Sequence, residues 1–106
     1  MVTSDLNTYS TQLDEHKQVT PRKSVLLERA EVAAFRSGSR LTANRRKIYE
    51  VLIDVGRPLK AYDLIDLLGG IGAQKPMTVY RSLNWLVEHG LVRKLSSAAK
   101  FVVVFD

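Results

Sequence analysis

The sequence predicts a mainly α-helical fold with a small β-hairpin, a winged helix-turn-helix built from three or four helices and a two-stranded wing. Apolar residues recur at helical spacing in successive segments between Ser24 and His89, and glycine-containing breaks separate those segments. After Gly90 the pattern changes to the alternation that is typical of strands. Helices followed by a hairpin indicate this fold class.

The first two helices have clear start and stop signals. Ser24 can cap the first helix, and Gly38 follows its end. Its apolar positions are Val25, Leu26, Leu27, Ala30, Ala33, Ala34 and Phe35. Thr42 can cap the second helix, and Gly56 stops it. Its apolar stripe consists of Ile48, Val51, Leu52 and Val55.

A short third helix and a longer fourth helix follow. The third runs from Ala61 to Leu68, and its residues expected to point inward are Leu64, Ile65, Leu67 and Leu68. The fourth runs from about Met77 to His89, behind Pro76, which suits a first helical turn. Its apolar stripe consists of Val79, Leu83, Leu86 and Val87.

The wing is predicted as two strands joined by a turn. Residues 91–95 form the first strand, residues 96–99 form the turn, and residues 100–105 form the second strand. Residues 1–21 are polar and predict a flexible tail, so the winged-helix domain is assigned to residues 22–106.

Charge is unevenly distributed along the chain. The formal net charge is +5, yet residues 1–20 carry one base and three acids. The remaining residues carry fifteen bases and eight acids, which suits a polyanionic partner. Basic character alone is also common among soluble proteins, so a nucleic-acid partner needs support from individual residues.

Several classes of function are disfavoured by what the sequence lacks. It contains no cysteine, which excludes disulfides, thiolate metal sites and cysteine nucleophiles. No secretory signal and no apolar run of membrane-spanning length is visible, so we expect a cytoplasmic protein without a membrane partner. Asp63 and Asp66 share a helix face but lack a histidine or nucleophile partner, so neither an enzyme nor a small-molecule substrate is predicted.

The fourth helix carries side chains suited to the major groove of double-stranded DNA. Arginine donates two hydrogen bonds to guanine, the commonest base-specific contact. The candidates on or just before this helix are Lys75, Thr78, Tyr80, Arg81 and Asn84. The candidates in the wing for phosphate or minor-groove contact are Arg93, Lys94 and Lys100. Alternatives remain, because Arg81 could be an ordinary surface residue and Tyr80 could be a core residue.

Four stretches resemble the ferric uptake regulator family. Residues 40–45 (RLTANR) resemble its R-x-T-x-Q-R opening, and residues 61–64 (AYDL) match its third helix in the zinc uptake regulator branch. Residues 75–83 (KPMTVYRSL) resemble its T-V-Y-R-x-L recognition helix, and residues 88–92 (EHGLV) match the helix exit. The resemblance covers roughly residues 25–105.

This resemblance implies a dimeric, metal-responsive transcription regulator, in most cases a repressor involved in metal homeostasis. It implies that Tyr62 and Arg81 contact DNA, with Thr78 and Tyr80 nearby. In the family a winged-helix domain precedes a dimerisation domain, and we expect this chain to correspond to the first domain only. A homodimer or a mixed dimer is therefore an expected partner state.

We expect no metal cofactor in this chain, although the family binds zinc or iron. The paired C-x-x-C motifs of the family are absent, and Arg93 and Val104 stand near the positions of its wing histidine and cysteine ligands. The two histidines of the sequence, His16 and His89, do not make a four-ligand site. A protein-interaction module that pairs with another regulator is the alternative function, because winged helices are reused for protein contacts.

Overall fold

The computed structural model describes residues 21–70, 75–95 and 99–105. Their elements, in order, are α1 (Pro21–Arg36), α2 (Ala43–Val55), β1 (Leu59–Lys60), α3 (Ala61–Leu67), α4 (Pro76–Glu88), β2 (Val92–Leu95) and β3 (Lys100–Val103). The predicted winged-helix class is confirmed, with each boundary of α3, α4 and β2 within one residue of its prediction. Residues 1–20 of the predicted 1–21 tail and most of the wing turn lie outside the described residues, whereas Pro21, assigned to the tail, begins α1.

The sheet has a third strand that the sequence analysis did not predict. β3 lies between β1 and β2 and pairs antiparallel with both. Leu59 and Lys60 pair with Phe101 and Lys100. Two residues are too few to show an alternating pattern, so β1 was not visible in the sequence. β3 ends at Val103, two residues before the predicted end.

The core lies between the helices and the inner face of the sheet. α4 contributes Val79, Leu83 and Leu86, none of which has measurable solvent exposure. α4 packs against α2, α3 and β2, and α1 packs against α2. An ion pair between Lys23 Nζ and Asp54 Oδ1, 2.9 Å apart, also joins α1 to α2.

The predicted Ser24 cap of α1 is wrong, and three apolar residues predicted on helix stripes, Val25, Phe35 and Leu67, are exposed. α1 begins at Pro21, so Ser24 lies within the helix, and its buried stripe follows Leu26, Ala30 and Ala34. Phe35 projects from the other side and is 85% exposed. Leu67 is also exposed, because the i, i+3, i+4, i+7 stripe of α3 is formed by Ala61, Leu64, Ile65 and Leu68.

The helix ends follow ordinary capping chemistry. Thr42 caps α2 as predicted, since its Oγ1 accepts from the Arg45 backbone N–H at 3.2 Å. Gly56 closes α2 with a φ of 72°, a left-handed conformation that favours glycine. At the start of α3 the Asp63 carboxylate accepts from the Lys60 backbone N–H at 3.1 Å. This bond replaces a cap that the Lys60 side chain, which has only donors, cannot supply.

A polar and aromatic cluster fastens the loop between α1 and α2 to the end of α4. Trp85 Nε1 donates to Ser39 Oγ at 3.1 Å, and the His89 ring stacks on Trp85 with centroids 4.1 Å apart. His89 Nδ1 donates to the Trp85 carbonyl at 2.8 Å, and its Nε2 lies 3.0 Å from Ser37 Oγ. The Arg45 guanidinium lies 4.6 Å from the Trp85 ring centroid. Trp85 therefore packs the loop against α4, and His89 stabilises the C-terminal end of this helix.

The Trp85–Ser39 bond yields a first stability prediction. Replacing Ser39→Ala leaves the largely buried Trp85 N–H without its acceptor, so the free energy of unfolding should fall by about 1–3 kcal/mol. Urea denaturation followed by far-UV circular dichroism measures the change, because Trp85 is the single tryptophan of the chain and is itself replaced in one background. Ser24→Ala, an exposed position within α1, is the control and should change stability by less than about 0.5 kcal/mol. An equal loss in a Trp85→Phe background would contradict the assignment.

Tyr49 yields a second stability prediction. It is fully buried on α2, and its hydroxyl has no hydrogen-bond partner among the described residues. Burial raises the pKa of Tyr49 to about 12, although the nearby Arg29 charge lowers it. Ionisation is therefore easier in the unfolded chain, and the stability that Tyr49 confers is lost as the pH rises from about 10 toward about 12.

Tyr49→Phe tests both properties of this hydroxyl. At pH 7 the variant should be as stable as the wild type or up to about 2 kcal/mol more stable, because an unsatisfied polar atom is removed. Between pH 9 and pH 12 it should lose less stability than the wild type. Urea denaturation across this pH range measures both effects. Destabilisation of the variant at pH 7 would mean that the hydroxyl has a partner.

Candidate nucleic-acid interface

One exposed face of α4 combines polar, basic and apolar side chains. Met77, Tyr80, Arg81 and Asn84 are exposed, and their i, i+3, i+4, i+7 spacing keeps them within about 100° around the helix. Thr78 is half-buried at the border of this face. The exposure of Tyr80 excludes the alternative that it is a core residue. We call these five residues the α4 face.

The N-terminal end of α4 is electrostatically suited to an anion. No side chain in the described part of the chain caps this end, and its first turn contains no acid. Pro76 occupies the first helical position, where its missing N–H costs no helical bond. Lys75, exposed just before it, adds a positive charge to the positive end of the helix dipole.

The sign of the charge changes along α4. Arg81 lies in the middle of the α4 face, whereas Glu88 is exposed on the same side at the C-terminal end. A polyanion is attracted to the first half of the helix and repelled by its last turn. The N-terminal half of the helix is therefore electrostatically better suited to an anion than its C-terminal end.

The predicted wing residues divide between the two faces of the sheet. Lys100 pairs with Lys60 on β1, and Arg93 pairs with Val102, two residues further along β3. Directly paired residues and alternate residues of a strand share a face, so Lys60, Arg93 and Lys100 lie on the outer face. Lys94 instead pairs with Phe101 and lies 5.8 Å from its ring centroid, on the inner face at the edge strand.

Lys60 is a basic residue of this surface that the sequence analysis missed. It is exposed, pairs with Lys100 and precedes the predicted contact residue Tyr62 by two positions. Tyr62 is itself 69% exposed on the first turn of α3. Its position just before the third helix was the only sequence signal for a role in this surface. The strand that aligns Lys60 with the wing has only two residues and could not be predicted. We call Lys60, Arg93 and Lys100 the outer wing bases.

The described residues do not fit the zinc site that the resemblance implies. They contain no group of three or more histidine, cysteine, aspartate or glutamate side chains that could hold a metal ion. Arg93 and Val104, near the positions of two family ligands, have no metal-binding atoms suited to zinc.

None of the described helices is long and apolar enough to cross a membrane.

Curated proteins similar to this chain are zinc uptake regulators. The zinc uptake regulation proteins of Escherichia coli (strain K12) and Shigella flexneri are each 38% identical to it over 84 residues. The aligned region covers 76% of this chain and 49% of each relative, so the chain spans about half of their length. No family model matches the chain. These relatives are regulators and not enzymes.

Solved structures give the same result. A zinc uptake regulator complexed with zinc and DNA has a TM-score of 0.69 and 36% identity, covering 82% of this chain and 59% of the solved chain. The holo form of XcZur has a TM-score of 0.68 and 37% identity, covering 78% and 57%. The Helicobacter pylori ferric uptake regulator, at 20% identity and a TM-score of 0.64, covers 85% and 62% and shares the fold. Over about three quarters of its length the chain is thus homologous to the zinc uptake regulators, and the match is consistent with their N-terminal domain.

Proposed function

We propose that this chain binds double-stranded DNA in a sequence-specific manner and acts as a transcription regulator, as a repressor. The single observation that carries the proposal is the α4 face, with Arg81 and Asn84 exposed one turn apart on a helix whose uncapped N-terminus follows Lys75. Similarity to a zinc uptake regulator complexed with zinc and DNA supports it.

The side chains divide into base contacts and phosphate contacts. Arg81 donates a pair of hydrogen bonds to guanine, and Asn84 pairs with adenine, because each side chain matches the donor and acceptor pattern of that base. Tyr62, Thr78 and Tyr80 donate hydroxyl protons to phosphates or base edges. The bases that neutralise phosphates are Lys75, Arg93, Lys94 and Lys100, to which we add Lys60.

A DNA-binding experiment tests the role of Arg81. A duplex selected by the wild-type chain from a random-sequence pool is titrated in a fluorescence-anisotropy assay. Arg81→Ala should bind it about 10–100-fold more weakly, the equivalent of about 1–3 kcal/mol for a base-specific contact. Arg36→Ala, exposed at the end of α1, loses the same charge and is the control. Unchanged affinity in a folded Arg81→Ala variant would contradict the assignment.

For the outer wing bases we expect a loss of DNA affinity that does not depend on the DNA sequence. Lys100→Ala and Lys60→Ala should each weaken binding to selected and unselected duplexes by similar factors, because phosphate contacts carry no sequence information. Each should also reduce the slope of log affinity against log salt by about one. Binding measured over several salt concentrations gives the slope. Loss confined to the selected duplex would mean that these lysines read bases instead.

A second candidate function is supported by α1. Val25, Val32 and Phe35 are all exposed, and Phe35 borders a groove of about 430 Å³ that Leu41 and Ala34 help to line. Exposed apolar side chains of this size favour contact with another protein, in a homodimer or with another regulator chain. Analytical ultracentrifugation of the wild type and a Phe35→Ser variant tests it. A concentration-dependent dimer that Phe35→Ser dissociates supports this candidate.

A further inference from the structure

The α4 face contains a large apolar side chain that neither the core nor a polar contact explains. Met77 is 60% exposed in the first turn of α4, and Tyr80, three residues later, is 48% exposed. The inward side of the same helix is completely covered, since Val79 and Leu83 have no measurable exposure. A methionine at the exposed N-terminal end of a helix stabilises the folded domain little, because it buries little apolar area.

The chemistry of the major groove suggests what Met77 contacts. Guanine, cytosine and adenine present hydrogen-bond donors and acceptors there, whereas thymine presents one acceptor and an apolar C5-methyl group. An apolar side chain next to thymine is stabilised by burial against the methyl group. Next to another base it displaces water from polar groups without replacing their hydrogen bonds, which costs free energy. Methionine is unbranched, flexible and polarisable, so its side chain can adapt its shape to pack against a methyl group in the major groove.

We propose that Met77 is a specificity residue that reads the methyl group of thymine. This inference rests on the proposed DNA binding and deepens it, because it names the base that the first turn of α4 selects. Met77 precedes Arg81 by four residues, about 6 Å along the helix axis. With base pairs about 3.4 Å apart, the thymine lies at most about two base pairs from the base that Arg81 contacts.

Replacing thymine by deoxyuridine isolates this contact. The substitution removes only the C5-methyl group and leaves base pairing unchanged. The highest-affinity duplex selected by the wild-type chain is synthesised with each thymine replaced in turn, and affinities are measured by fluorescence anisotropy. For the wild type, deoxyuridine at one or two positions per binding site should weaken binding about three- to fivefold, the value of one buried methyl group.

The variants assign the effect to one side chain. Met77→Ala should bind the thymine and deoxyuridine duplexes with equal affinity. In a double-mutant cycle this result means that the side chain and the methyl group interact directly. Met77→Leu should still bind the thymine duplex more tightly. Leu67→Ala is the matched control, because Leu67 is equally exposed but lies on α3. It should discriminate as the wild type does. Circular dichroism checks that each variant is folded.

Failure of this inference differs from failure of the proposed function. If no duplex is selected and none binds, DNA binding itself is wrong, and the role of Met77 is wrong with it. If DNA binds but deoxyuridine is tolerated everywhere, DNA binding stands and methyl recognition is wrong. If Met77→Ala discriminates as strongly as the wild type, another side chain reads the methyl group and the assignment to Met77 is wrong.

Discussion

Burial of the inner side of α4 is the constraint on which the remaining structure depends. Val79, Leu83 and Leu86 are fully covered by α2, α3 and β2. Each such side chain contributes on the order of 1.5–3 kcal/mol when it is transferred from water. Because this stripe cannot rotate away from the core, the opposite side of α4 must face outward. The position of Arg81 is therefore a consequence of core packing.

The two ends of α4 differ in their side-chain bonds to the rest of the domain. At its C-terminal end, Trp85 and His89 bond to Ser39 and Ser37 and hold the α1–α2 loop against the helix. At its N-terminal end no side chain of the described residues forms a cap, and Lys75 is exposed. One end of the helix is thus fixed within the domain, while the other has the positive end of the helix dipole and the Lys75 charge available to a partner.

The sequence predicted the parts of the fold that have strong periodicity and clear ends. Thr42 and Gly56 were identified as the ends of α2 because capping is a local property. β1 was missed because two residues carry no pattern, and with it the alignment of Lys60 with Lys100. Phe35 was expected on the apolar stripe of α1, but the sequence could not show which of two adjacent apolar sides would meet α2.

The candidate site was predictable to a similar extent. Local spacing identified the residues of the fourth helix, and the structure exposes Tyr80, Arg81 and Asn84 on one side of it. Adjacent strand residues lie on opposite faces, so Arg93 and Lys94 had to separate, but which of them shares a face with Lys100 depends on strand register. The apolar stripe predicted for α4 did not include Met77, and the structure shows Met77 exposed on the other side of the helix.

We propose that the N-terminal half of α4 and the outer wing bases form one DNA-binding surface. The most direct test of this proposal is a ¹⁵N NMR titration of the intact chain with the selected duplex. We predict that the amide shifts of residues 75–84, Tyr62, Lys60, Arg93 and Lys100 change most, and that those of residues 25–35 in α1 change little. Changes concentrated in α1, with α4 unaffected, would contradict this proposal and assign partner binding to α1.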